Sequence, residues 1–190
     1  MLFRSCSALK EIRLPKLQEL ADYCVSDAPK LERLFVPQLE KVGDFSLNEL
    51  GVKTVSFDLL KVVGNDCLNK NKKLKTASFA TLERTGEGFL ACCNKLQQVD
   101  VPNLMMLQTD SFKKSNNLKV IKADALTGIS KYAGLKYLPS LMCLYAPKMD
   151  QRALFACFYL HPFQEQLISR NTSKEYLQMM CEKKQEHTHA

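Results

Sequence analysis

One seven-residue phrase recurs along this chain about every 22 residues. It reads LKEIRLP from Leu9 to Pro15, LERLFVP from Leu31 to Pro37, LQQVDVP from Leu96 to Pro102 and LMCLYAP from Leu141 to Pro147. Repetition at this period is the mark of a solenoid, in which each unit is too small to bury its own apolar face and must stack on its neighbours. Numbering the first leucine as position 1, the repeats begin at Leu9, Leu31, Val52, Leu74, Leu96, Leu118 and Leu141. Positions 1, 4, 6, 9 and 12 form five apolar columns in which 33 of 35 residues are apolar, against 46% hydrophobic residues in the whole chain. Only Thr85 and Arg152, both at position 12, break the pattern. Chance alignment would fill the columns only about half as well, so the repeat is real.

The spacing predicts local structure. Positions 4 and 6 point one way and positions 3 and 5 the other, which is the two-residue period of a strand. One short strand per repeat, stacked in parallel at roughly 4.8 Å, gives seven repeats a length of about 30 Å. Proline at position 7 lacks an N–H and is expected to end each strand. Gly43, Gly64 and Gly86 at position 13 suggest a turn that needs positive φ. The second half of the repeat carries Cys24, Leu47, Cys67, Phe89 and Phe112, and is expected to be irregular coil or a short helical turn behind the sheet. The fold class is therefore an α/β solenoid with one short parallel strand per repeat.

The phrase resembles the leucine-rich repeats, and within them the BspA-like (Treponema-type) class, whose unit runs near L-x-x-I-x-L-P-x-x-L-x-x-I-G-x-x-A-F-x-x-C-x-x. The fragments that carry the resemblance are VDVP from Val99 to Pro102, LEKVG from Leu39 to Gly43 and FRSCSAL from Phe3 to Leu9. The match departs at position 7 of three repeats, where Asp58, Ala80 and Asp124 replace proline. The resemblance implies a protein-binding or adhesive surface molecule, an associational expectation because a fold does not fix a function.

The solenoid is expected over residues 1–157, with Phe3, Cys6 and Leu9 as the tail of an earlier repeat. Residues 158–190 are expected to form a cap helix from Lys174 to Lys184, opened by Thr172 or Ser173, and a disordered tail. No signal peptide or transmembrane segment is legible. That absence, with unpaired cysteines, points to the cytoplasm; the resemblance points to the cell surface or outside, should the chain be a fragment.

Candidate chemistry is sparse. Cys6, Cys24, Cys67, Cys92 and Cys93 fall where the resembled class buries a cysteine, and a free thiol packs as a small hydrophobe. No C-x₂-C pair suggests zinc, no Gly-rich phosphate loop is present, and no nucleophile–base signature accompanies the three histidines. The expectation is a protein without catalytic residues, cofactor or metal, which binds a protein partner through the outward face of its strands. Arg13, Arg33, Phe35, Lys122 and Tyr145 are the candidate partner-binding residues, because large aromatics and arginines on outward positions favour interface anchors. The alternatives are electrostatic binding of nucleic acid or an anionic membrane, or a structural piece of a longer cell-surface adhesin. The net charge of +7 and the lysines at position 2, namely Lys10, Lys53, Lys75 and Lys119, support the electrostatic one.

Overall fold

The computed structural model describes residues 3–130, 132–135 and 138–149. The expected cap helix and the 157/158 boundary lie outside the described residues.

Each coil opens with a strand at positions 3–5 or 3–6. These are β1 (Glu11–Arg13), β3 (Arg33–Phe35), β5 (Thr54–Phe57), β7 (Thr76–Phe79), β8 (Gln98–Asp100), β10 (Val120–Lys122) and β12 (Cys143–Tyr145). They pair in parallel and in repeat register: Arg13 opposite Phe35, Ser56 opposite Ser78, Lys122 opposite Tyr145. Position 4 points inward throughout, with Ile12, Val55, Ala77, Val99 and Ile121 buried.

The longer strands go with the loss of proline at position 7. The two strands of four residues, β5 and β7, are adjacent and both precede a proline-free position 7. There the Ala80 N–H donates to the Phe57 carbonyl (3.2 Å), a bond proline could not make. Asp124 also replaces proline, yet β10 stays at three residues; there the Ala125 N–H donates to the Pro102 carbonyl (2.9 Å).

The first sheet is interrupted. β1 and β3 form one pair, while β5, β7, β8, β10 and β12 form a separate five-stranded sheet. The gap coincides with the one 21-residue repeat, where Gly51 alone joins Leu50 to Val52. A Cβ on Gly51 would lie 2.4 Å from the Pro29 carbonyl oxygen, so the shortened corner crowds against the coil before it. Stacking nevertheless continues on the other faces.

Two features differ from the sequence expectation. The first is a second run of strands at positions 11–12: β2 (Glu19–Leu20), β4 (Lys41–Val42), β6 (Val62–Val63), β9 (Met106–Leu107) and β11 (Gly128–Ile129). β2, β4 and β6 pair in one sheet and β9 with β11 in another. The coil thus has two strands, not one. Two residues are too few to show a period, which hid them in the sequence.

The second is that the back of the coil is not irregular. Positions 15, 17 and 19 take positive φ in successive coils: Tyr23, Val25 and Asp27, then Phe45, Leu47 and Glu49, then Asp66, Leu68 and Lys70, at +51° to +59°. A left-handed L-residue costs roughly 1–2 kcal/mol, and here the cost is offset by a third intercoil ladder. Amides at positions 15 and 19 donate to the next coil, as from Tyr23 to Asp44 O (2.8 Å) and Asp27 to Asn48 O (3.1 Å). Those at position 17 donate back, as from Leu47 to Cys24 O (3.3 Å). Position 17 is buried in each of these coils.

The position-13 glycines serve close approach rather than positive φ, since only Gly88 and Gly134 among glycines have it. A Cβ on Gly43 would lie 2.2 Å from Oδ1 of Asp22, and one on Gly64 2.2 Å from Oδ1 of Asp44.

The core is one continuous column of leucines at positions 1 and 9, crossed by an aromatic chain in its middle. Phe57 stacks on Phe79 (5.7 Å), which meets Phe89 edge-on (5.3 Å), and Phe89 meets Phe112 (6.3 Å). Buried amides of the back turns are satisfied by side chains from the next coil: Ser46 Oγ accepts from Cys24 N, Ser115 Oγ from Cys93 N, and Asn71 Oδ1 from Leu50 N (2.6 Å). Cys24, Cys67 and Cys93 are buried as expected, whereas Cys6 and Cys92 are only half-buried. Cys92 sits at position 19 of the coil and turns toward the surface, leaving position 20 to Cys93.

Candidate binding surfaces on the solenoid

The five candidate residues all lie on the first sheet but at its two ends. Arg13, Arg33 and Phe35 occupy β1 and β3; Lys122 and Tyr145 are register partners on β10 and β12. Three coils separate the groups, so they form two patches about 20 Å apart at one coil per ~4.8 Å.

At the first patch Phe35 is 44% exposed and carries the Arg13 guanidinium over its ring at 5.0 Å. Such a cation–π pair is worth about 0.5–1 kcal/mol at an exposed site. Glu11 lies beside both arginines, a neighbour that strand alternation alone does not mark as part of the site. Its Oε2 accepts from Arg33 Nε (3.1 Å) and Nη2 (2.8 Å), and its Oε1 from Arg13 Nη1 (3.1 Å). Those hydrogen bonds, Arg33's first and Arg13's second, hold the Glu11 carboxyl below its usual range. The patch is therefore a braced aromatic with its charge partly cancelled, less basic than the three residues alone suggest. The signal was available: Glu11 shares position 3 with Arg33, so stacking had to place them side by side.

At the second patch Lys122 faces Asp100 in register. Burial pushes the Asp100 carboxyl above its ordinary range; Lys122 opposes that push and Asp124 adds to it. Both Lys122 and Tyr145 are half-buried, so this end offers less free side chain than Phe35 does. Between the patches, Thr54, Ser56 and Thr76 are exposed and Ser78 half-buried, giving the small flat centre the sequence suggested.

The lysines of position 2 do align. Backbone bonds run Lys75 N to Lys53 O (2.7 Å), Gln97 N to Lys75 O (2.8 Å) and Lys119 N to Gln97 O (2.9 Å), fixing Lys53, Lys75, Gln97 and Lys119 in one column. Among the described residues no group of three histidine, cysteine or acidic side chains is placed to hold a metal ion. No described helix is long and apolar enough to cross a membrane.

Residues 1–119 match the model of the BspA-type leucine-rich repeat region in six copies. The chain belongs to that family. A leucine-rich repeat protein from Bacteroides ovatus ATCC 8483 is similar in structure, at 27% identity and a TM-score of 0.64 over 74% of this chain and 37% of that one. A leucine-rich cell surface protein from Faecalibacterium prausnitzii A2-165 aligns at 13% identity and a TM-score of 0.48, over 90% of this chain and 65% of that one. The chain thus spans 37% and 65% of the lengths of these two structures. No curated protein matches it. BspA-type repeats are typical of protein-interaction and surface proteins, and the architecture is generally non-enzymatic.

Proposed function

We propose that this BspA-type solenoid is a non-enzymatic interaction module that binds a protein through the outward face of its first sheet. The observation that carries this reading is Phe35, an exposed aromatic on a rigid strand with Arg13 laid over its ring. An aromatic anchor held by a neighbour loses little side-chain entropy on binding, and aromatic and arginine anchors dominate interface energetics. The small centre of the face lets a partner lie flat across it, and several coils together offer the ~800 Å² per side of an ordinary interface. Tyr145 and Lys122 form the far contact, Arg33 the near one.

The test is a pull-down from nuclease-treated native extract, comparing wild type with the double variant Phe35→Ser, Tyr145→Ser. A protein retained by wild type and lost by the variant supports the reading. Equal retention by both shows that the sheet face is not the contact surface.

A further inference from the structure

The charge of this solenoid is sorted onto two edges. At the corner between the back ladder and the first sheet, the segments 69–76, 91–98 and 113–120 stack on one another. They hold eight lysines and no acidic residue: Lys70, Lys72, Lys73, Lys75, Lys95, Lys113, Lys114 and Lys119. Only two of these are ion-paired among the described residues, Lys70 with Glu49 (3.1 Å) and Lys113 with Asp110 (2.6 Å). The edge at positions 10–15 has the opposite sign. Across segments 18–23, 40–45, 61–66, 83–88 and 105–110 it carries eight acidic residues and three basic ones. Lysines at one-coil spacing repel each other, and the fold gives most of this cluster no counter-charge although acids are plentiful on the opposite edge.

We infer that this corner binds a linear anionic polysaccharide laid along the solenoid axis, across the coils that begin at Val52, Leu74 and Leu96. Three features select this ligand class. The lysines lie along a line of stacked coils, set coil by coil through the position-2 column and its Lys75–Lys53 and Lys119–Gln97 backbone bonds. A linear polymer can follow such a line. The line also places exposed amides, Asn94 and Asn116, among its amines, with the Asn117 Nδ2 donating to the Asn94 carbonyl beside them. Amine and amide donors in alternation suit a chain that alternates anionic groups with hydroxyls. Finally, among the described residues none of the exposed large apolar side chains (Tyr23, Phe35, Leu59, Met105, Met106, Tyr132) lies at this corner. Single-stranded nucleic acid would need aromatic platforms for its bases, and a bilayer would gain from an apolar anchor. This surface is distinct from the sheet face and does not depend on the protein-binding reading.

The test is titration of the full chain with size-defined heparin at low salt, with two charge-matched variants. One replaces Lys72, Lys73, Lys75 and Lys95 by serine. The other replaces Lys16, Lys41, Lys61 and Arg84, basic residues on or beside the acidic edge. Circular dichroism confirms that both fold. The corner variant should lose affinity on the order of tenfold or more and the edge variant should bind like wild type, with affinity falling as salt rises. Desulfated heparin distinguishes sulfate from carboxylate as the recognised group. The inference is overturned if the two variants lose affinity equally, if wild type does not bind heparin, or if oligothymidylate or phosphatidylserine vesicles bind wild type at least as tightly as heparin does.

Discussion

Gly64 lies against Asp44 of the coil before it, so close that a Cβ there would sit 2.2 Å from the carboxylate Oδ1. The contact exists because Oδ1 of Asp44 is turned to accept the Asn65 N–H (2.7 Å). The same arrangement joins Asp22 to Asp44 N (2.8 Å) beside Gly43, and Asn65 to Glu87 N (3.0 Å) beside Gly86. Where the preceding coil has Glu87 or Thr109 instead of Asp or Asn, position 13 is Gln108 or Ser130. Glycine is thus needed where a short acidic or amide side chain caps the next coil's backbone, and not elsewhere.

Gly64→Ala should therefore destabilise the protein by about 1–3 kcal/mol, the usual cost of overpacking a tight site. Combining it with Asp44→Ala should restore part of the loss, since the side-chain clash disappears while the Asp44 amide nitrogen stays 2.7 Å from the new Cβ. Urea unfolding of the two singles and the double gives the coupling directly. Strict additivity would show that the carboxylate is not the obstacle.

Asn71 is fully buried and fully used. It accepts from Leu50 N (2.6 Å) and donates to Leu47 O and Leu68 O (both 2.9 Å), so one side chain closes two successive coils. Asn71→Ala orphans the Leu50 N–H and the Leu47 carbonyl, leaves the Leu68 carbonyl only the Cys93 thiol as donor, and should cost on the order of 3 kcal/mol. Asn71→Ser should recover part of it, because Ser115, at the same position 20 two coils further on, performs the same accept-and-donate role at Cys93 N (3.0 Å) and Leu90 O (2.8 Å). Thermal or urea unfolding of the pair checks the order, wild type above serine above alanine.

Thr85 is the apolar column's exception within the described coils, and its Oγ1 is buried without a hydrogen-bond partner. Thr85→Val keeps the shape and removes an unsatisfied hydroxyl. It should raise stability by about 1 kcal/mol, seen as a higher urea midpoint with an unchanged slope. A lower midpoint would mean that the hydroxyl is satisfied in solution.

What the sequence disclosed and what it hid follow from the length of each element's period. Five apolar columns spaced at 22 residues placed every position-3 strand and predicted the burial of Leu39, Leu60, Leu82 and Leu104. Proline spacing predicted where most strands stop, though β10 stops at three residues without a proline of its own. The two-residue strands such as Glu19–Leu20 left no period to detect. The left-handed ladder was hidden more deeply, because it uses Val25, Leu47 and Phe112, residues that ordinarily avoid positive φ. The sheet-face candidates could be placed on the outward face from alternation alone, but alternation cannot see between columns. Glu11 bridging Arg13 and Arg33, and Asp100 beside Lys122, depend on lateral neighbours that the register supplies.

The buried thiols give a prediction with a pH dependence. Burial pushes Cys67 and Cys93 up to about 12 from an ordinary value near 9.0. Each also donates inward, Cys67 Sγ to Gly43 O (2.7 Å) and Cys93 Sγ to Leu68 O (3.2 Å). A thiol whose pKa is raised in the folded state keeps its proton there while the unfolded chain gives it up. Its contribution to stability is therefore complete below pH 9 and is lost as pH rises toward 12, when unfolding releases protons. Stability measured by urea unfolding should fall as pH goes from 8.5 to 10.5 in wild type. The double variant Cys67→Ala, Cys93→Ala should lose less over the same interval, although its starting stability is lower because two core side chains are truncated. At pH 8 a thiolate-selective reagent should leave both residues unmodified in the folded protein and modify them after denaturation. Mass mapping of the labelled peptides reads this out, and rapid native labelling of either cysteine would contradict its burial in the core.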